Sequence, residues 1–206
     1  MTGPPELILA SGSPRRANLL RKLGLDFQVL PSHIPEDLLP HEAPEAHAER
    51  LACEKALEVW AKHPSSMVLA GDTVVVLDGQ ILGKPSDTED ALEMLMALSG
   101  RTHTVVSGLA LAFPDGSLPS GTGSTLVTFS AFDETIARAY VATGEPMDKA
   151  GAYGIQGLGS ALVEAVQGDY HTVVGLPVPL LLGLLSRGGW RYQSGVLVPI
   201  PQEKSG

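Results

Sequence analysis

The sequence predicts a mixed α/β fold with a partly antiparallel sheet flanked by helices. Three observations carry this. Apolar runs of strand character mix with amphipathic helical stretches, without the strict alternation of an all-parallel fold. An Asp78-Gly79 pair joins two such runs as a hairpin, which requires antiparallel strands. The 206 residues, 44% hydrophobic and 18% charged, suffice to bury a real core and exclude a disordered chain or a coiled coil. Residues 1–206 are read as one domain, with the informative motifs between about 7 and 185 and an unplaced tail at 188–206.

Residues 6–10 (ELILA) are a short apolar run, read as a buried strand. Ser13 can cap the next helix, and Pro14 suits its first position. Leu19, Leu20 and Leu23 share its apolar face, and Gly24 can end it. Residues 27–34 resume as a strand. Over 44–63, Ala48, Leu51, Ala52, Ala56 and Val59 recur at helical spacing. Residues 67–77 form a strand that Asp78-Gly79 turns into QILGKP. Ser86-Asp87 open a helix to about Leu98. Acidic residues at 87, 89 and 90 suit its positive end, and Gly100 stops it. Strands follow at 102–113 and 124–132, then a helix from Asp133 to about Thr143. Residues 145–160 are glycine-rich and read as a functional loop. Residues 161–166 and 170–174 are read as strands, and 179–185 as a short helix. In the tail, Trp190, Tyr192 and the run 196–200 can pack in part, and the last residues should fray.

Composition narrows the function. Lys+Arg number 14 against 23 Asp+Glu, a net charge of -9, which argues against binding nucleic acid over a broad basic face. Anionic small molecules remain open where positive groups gather locally or a metal assists. Cys53 is the single cysteine, so an internal disulfide and a multi-thiolate zinc site are excluded. It has no activating motif beside it. No run reaches about 18 apolar residues and no secretory signal opens the chain, so a cytoplasmic protein is expected. None of the six histidines forms an H-x-x-x-H pair, and each is expected in a loop or at the surface.

Four segments can carry chemistry. In Ser11-Gly12-Ser13-Pro14-Arg15-Arg16 a strand passes through small residues into a helix. Free amides and two arginines there suit an anion, although an ordinary helix start has the same pattern. It lacks the Gly-Lys-Ser/Thr ending of a Walker loop. Ala70-Gly71-Asp72-Thr73 places a carboxylate inside an apolar strand, costly unless it is paired or meets a metal. Lys84, in Gly83-Lys84-Pro85, could reach a phosphate or simply sit in solvent. In the loop from Glu145 to Gly157, Tyr153 offers a stacking face. Gln156 there offers a donor and an acceptor that suit a base edge.

Taken together, LASGSPRR (9–16), AGDTVV (70–75), GKP (83–85), LSGRTHTV (98–105), GEPMDKAGAYGIQG (144–157) and VVGLP (173–177) resemble the Maf family of nucleoside triphosphate pyrophosphatases. The likeness is greatest to its dTTP/UTP branch, because Arg15, Thr73 and Gln156 stand where that branch reads the base. Cys53 departs from the polar or basic residue common in relatives, while Lys55 is retained.

The resemblance implies two lobes around a nucleotide cleft, similar to inosine triphosphate pyrophosphatases. It implies a divalent metal, magnesium or manganese, a cytoplasmic location, and house-cleaning of nucleotide pools linked to septum formation. It admits a homodimer and gives no role to nucleic acid or membrane. The reaction implied is hydrolysis between the α- and β-phosphates. Ser13, Arg16, Lys55 and Lys84 would neutralise phosphates, and Glu36 would join Asp72 at the metal. Asp72 would take the proton from the attacking water or hold the metal. Arg15 and Thr73 would supply the donor that Gln156 leaves unmet. The alternatives are the same reaction on methylated GTP or CTP, or a low-turnover nucleotide-binding regulator of septum formation.

Overall fold

The computed structural model describes residues 4–201. Its frame is a seven-stranded sheet built on one long strand. The strands are β1 (Leu7–Leu9), β2 (Gln28–Val29), β3 (Met67–Leu77), β4 (Gln80–Leu82), β5 (Thr102–Ala112), β6 (Ser120–Phe129) and β7 (Val163–Gln167). The order is β2-β1-β3-β5-β6-β7, with β4 also on β3. β1 runs parallel to β2 and β3, and the other pairs are antiparallel. Helices α1 (Pro14–Lys22), α2 (Pro44–Trp60), α3 (Thr88–Leu98), α4 (Glu134–Val141), α5 (Tyr170–Val174) and α6 (Val178–Arg187) complete the fold. A separate hairpin, β8 (Trp190–Gln193) and β9 (Val196–Pro199), follows them.

The long strand β3 explains where a cleft opens. On one side it pairs with β5 along residues 68–76. On the other, β1 covers only residues 67–69 and β4 only 75–77. Residues 70–74 thus keep an edge with no strand against it among the described residues. β1 leaves because Ser13 turns the chain into α1, its hydroxyl capping the Arg16 amide. β4 arrives because Asp78 and Gly79 take φ of 52° and 79°, the left-handed pair of a tight hairpin.

Strand periodicity then sorts the core. Even positions Val68 and Ala70 face α2, packing with Ala52, Ala56 and Val59. Odd positions divide: Met67 and Leu69 join α1 and α6, while Val75 and Leu77 join α3 and α4. Between these two apolar groups lies a polar belt at Thr73 and Ser107, partners in register.

The strand expected at 27–34 shrinks to Gln28–Val29, because only those residues meet β1. The strand expected at 170–174 is helix α5. Asp169 caps it through the His171 amide, and Gly175 ends it at φ 102°. Two local signals thus override β-branched composition in five residues. The strand expected at 124–132 starts earlier and ends at Phe129. The glycine-rich segment holds three short 3₁₀ turns, Glu145–Asp148, Ala150–Ala152 and Leu158–Leu162. The tail packs as expected: Tyr192 donates to the Leu23 carbonyl, and Leu197 is buried. The expected fraying concerns 202–206, outside the described residues.

Two histidines correct the expectation of a surface place. His47 lies on the inner face of α2, and His103 is 2% exposed among Phe129 and Tyr153. Burial lowers the His103 pKa from 6.5 to about 4. Between those values the unfolded chain binds a proton that the folded chain refuses. Stability is therefore lost as pH falls through that window, by on the order of 3 kcal/mol. His103→Gln should flatten this limb. Thermal midpoints of parent and variant from pH 7 to 4 check it, and parallel slopes would exclude His103 as the cause.

Candidate active site

A cleft of about 730 Å³ opens at the free edge of β3. Ser13, Arg15, Arg16, Glu36, Lys55, Asp72, Thr73, Lys84 and Gln156 all line it, although 143 residues separate the first from the last. Five basic side chains (Arg15, Arg16, Lys55, Lys84, Lys149) face three carboxylates (Glu36, Asp72, Asp148). The lining is therefore net +2 in a chain of net charge -9. Such a local reversal draws an anion to one place on an acidic molecule.

Asp72 and Thr73 are neighbours in β3 and so point to opposite faces. Asp72 faces α2. Lys55, two turns beyond His47 on that helix, places Nζ 2.8 Å from Asp72 Oδ1 and 2.5 Å from Glu36 Oε1. Lys84 approaches Glu36 from the hairpin at 3.6 Å. Burial raises the Glu36 pKa, but the Lys55 hydrogen bond and the charges of Lys55 and Lys84 together hold it below the usual carboxylate range. Asp72 Oδ2 has no hydrogen-bond partner among the described residues.

Thr73 faces the polar belt. Arg16, 9% exposed, spreads its guanidinium over three neutral acceptors: Nε to the Gly175 carbonyl (2.7 Å), Nη1 to Ser11 Oγ (2.9 Å) and Nη2 to Thr73 Oγ1 (3.0 Å). No carboxylate pairs with it among the described residues. Burial pulls its pKa down, and the charge of Asp72 partly offsets this. A buried guanidinium without a counter-ion is costly unless an anion completes it.

Ser107 donates to the Thr172 carbonyl, so the Thr73 proton must go to Ser107 Oγ at 2.8 Å. Thr73 is then left with one lone pair and no free proton. That corrects the expectation that Thr73 could donate to a base. Arg15 lies across the cleft mouth, 3.3 Å from Asp148 in the glycine-rich loop. Gln156 is exposed and makes no side-chain hydrogen bond among the described residues. Ser13 Oγ accepts the Arg16 amide as the helix cap and keeps its own proton, while the Ser13 amide donates to Ser11 Oγ at 3.2 Å.

Several site residues are not singled out by the sequence reading. Ser11 and Ser107 hold Arg16 and Thr73. Ser107 breaks an apolar strand as Asp72 does, a signal that was available. His47 also lines the cleft, Nδ1 2.9 Å from Glu42. Arg50 hydrogen bonds to Glu42, with the help of His47, lower the Glu42 pKa to about 2. Cys53 is half-buried, and burial pushes its thiol up, as suits a packing residue.

A divalent cation fits this donor set. Glu36 and Asp72 present hard carboxylate oxygens around one ammonium, each with a second oxygen outside that contact. No group of three or more His, Cys, Asp or Glu side chains placed to hold a metal occurs among the described residues. The remaining positions would fall to phosphate oxygens and water, which a hard cation accepts. No helix among the described residues is long and apolar enough to cross a membrane.

Comparison with known proteins places this cleft in context. The chain is 50% identical over 177 residues to the dTTP/UTP pyrophosphatase of Desulfotalea psychrophila, covering 85% of this chain and 91% of that one. It is 50% identical over 184 residues to the dTTP/UTP pyrophosphatase of Moorella thermoacetica, covering 88% and 94%. Among solved structures, the Ham1 protein of Staphylococcus aureus is similar in fold, with a TM-score of 0.52, 17% identity, and coverage of 89% and 99%. Residues 6–188 match the Maf-like protein family. With nearly the whole motif-bearing chain inside that match, the chain belongs to the Maf family.

Proposed function

We propose that the protein is a nucleoside triphosphate pyrophosphatase that hydrolyses dTTP and UTP to the monophosphate and pyrophosphate. The observation that carries this reading is Arg16, buried without a counter-ion among the described residues in the same cleft as the Glu36–Lys55–Asp72 cluster. Relatives at 50% identity bear the corresponding name. A pure binder would gain nothing from a buried carboxylate beside phosphates, which repels them. The reading includes one domain over residues 1–206, a cytoplasmic location and a small-molecule triphosphate as partner, and it admits a homodimer.

The chemistry asks for charge neutralisation and in-line positioning. Arg16, Lys55, Lys84 and the amides near Ser13 hold the triphosphate. Water attacks the α-phosphorus, the bond to the β-phosphate oxygen breaks, and pyrophosphate departs. Asp72, through its free Oδ2, takes the water proton or joins Glu36 at a magnesium or manganese ion, which would polarise phosphate oxygens. Uracil and thymine present two carbonyls around one N–H. The Gln156 amide matches one carbonyl and the N–H, and Arg15 donates to the other. Thr73 acts on specificity through its lone pair and its hold on Arg16.

Pyrophosphate release from dTTP, UTP, CTP and GTP tests this, with a chelator arm restored by magnesium or manganese. Gln156→Glu removes a donor and adds charge. It should lower kcat/KM for dTTP and UTP about ten- to a hundred-fold, the cost of an unpaired polar group, and less for the other two. Uniform loss across all four would reject base reading by Gln156.

A further inference from the structure

The loop that carries Gln156 hangs from two side chains outside the cleft lining, Tyr140 on α4 and Glu145 at its own start. Tyr140, near the end of α4, donates its hydroxyl proton to Glu145 Oε1 at 2.9 Å and accepts the Gly154 amide at 3.0 Å. The Glu145 carboxylate accepts the Leu158 amide on Oε2 at 2.8 Å and the Gly159 amide on Oε1 at 3.1 Å. Anchored amides therefore stand two residues before and two residues after Gln156, whose own side chain is left free.

The glycines show how closely the loop is drawn in. A Cβ at Gly157 would lie 2.4 Å from Glu145 Oε2, and one at Gly159 would lie 2.5 Å from the Tyr140 hydroxyl. Burial would raise the Glu145 pKa, but the two amides, Tyr140 and Lys149 together bring it below the usual range, so the acceptor stays ionised at neutral pH. Lys149 also donates to the Glu145 carbonyl, tying the start of the loop to its middle.

We propose that Tyr140 and Glu145 are positioning residues for base discrimination: they fix the 154–159 backbone so that the Gln156 amide meets the pyrimidine edge without having to be ordered. This rests on the reading of Gln156 given above. Without the tether, binding must order the loop, which weakens KM for the bases that Gln156 reads while leaving the phosphate chemistry intact.

Tyr140→Phe deletes one oxygen and both of its bonds, and Glu145→Gln replaces one acceptor by a donor. Either variant suffices if the other fails to fold. Amide hydrogen exchange of the free protein and kinetics on the four nucleotides are measured together, with Gln156→Glu alongside. Exchange over 154–159 should rise about five- to tenfold, as for one lost hydrogen bond. The kcat/KM ratio of dTTP to GTP should fall by a similar factor, carried by KM rather than kcat. Unchanged exchange in that segment would overturn the tether. Raised exchange with an unchanged ratio, where Gln156→Glu does shift it, would overturn the link to specificity and leave Gln156 reading the base. A ratio that neither variant nor Gln156→Glu shifts would overturn both.

Discussion

Asp72→Asn should leave a folded protein that hydrolyses dTTP about a hundred- to ten-thousand-fold more slowly than the parent, the usual worth of a positioned general base. The substitution is close to isosteric. Its amide oxygen can still accept from Lys55, which sits 2.8 Å from Oδ1. What changes is the other atom: an NH₂ donor replaces Oδ2, the carboxylate oxygen of Asp72 with no partner among the described residues. Lys55 keeps Glu36 at 2.5 Å, so its ammonium is not stranded and the fold should hold. Binding should behave differently from turnover. Loss of a negative charge beside the phosphates removes a repulsion, so affinity for a non-hydrolysable triphosphate, measured in chelator, should stay level or tighten. Pyrophosphate release and calorimetric binding on the same sample separate the two. Near-parental turnover in that sample would remove Asp72 from the chemistry.

Much of this arrangement was legible in the chain, for reasons that differ by element. β3 matches its expected bounds because both faces are covered by other elements, which makes it an apolar run, interrupted only at Gly71-Asp72-Thr73 and ended by a strong turn pair. Gly71-Asp72-Thr73 is conspicuous only because that run surrounds it. The alternation of strand faces was equally available and implies that Asp72 and Thr73 point to opposite faces of the sheet, which the cleft at its open edge takes in together. α5 was not legible as a helix, since five β-branched and aromatic residues carry little periodicity. Its caps, Asp169 and Gly175, were the only local sign. The Tyr140–Glu145 tether is of another kind. It joins a helix end to amides up to fourteen residues away, and amides have no signature in sequence. Arg16 was legible as basic, but that it would be buried on three neutral acceptors depends on Gly175, 159 residues distant.

Gly108 is the least conspicuous of the residues on which the site depends, and Gly108→Ala should be among the most damaging changes outside it. Gly108 is the register partner of Asp72 across β3 and β5. Above it lies the backbone of α2: a Cβ built there would stand 2.2 Å from the Ala48 carbonyl oxygen and 2.7 Å from the Glu49 nitrogen. Neither is the end of a flexible side chain, so the helix itself must lift by about 1 Å to restore contact distance. Overpacking of this kind costs about 1–3 kcal/mol. In a chain of this size that is a fall of roughly 2–12 °C in the thermal midpoint. The larger effect should be on rate. Lys55 rides on α2, so lifting the helix draws the ammonium from Asp72 and Glu36. A misplacement near 1 Å can cost about a hundredfold. Gly183→Ala is the control: Gly183 lies on the exposed side of α6 with nothing within 4 Å of a built Cβ. There the same change should stabilise by up to about 1 kcal/mol through helix propensity and leave turnover alone. If Gly108→Ala melts lower yet turns over dTTP at the parental rate below its midpoint, the close approach of α2 serves stability only, and Lys55 does not depend on it for its place.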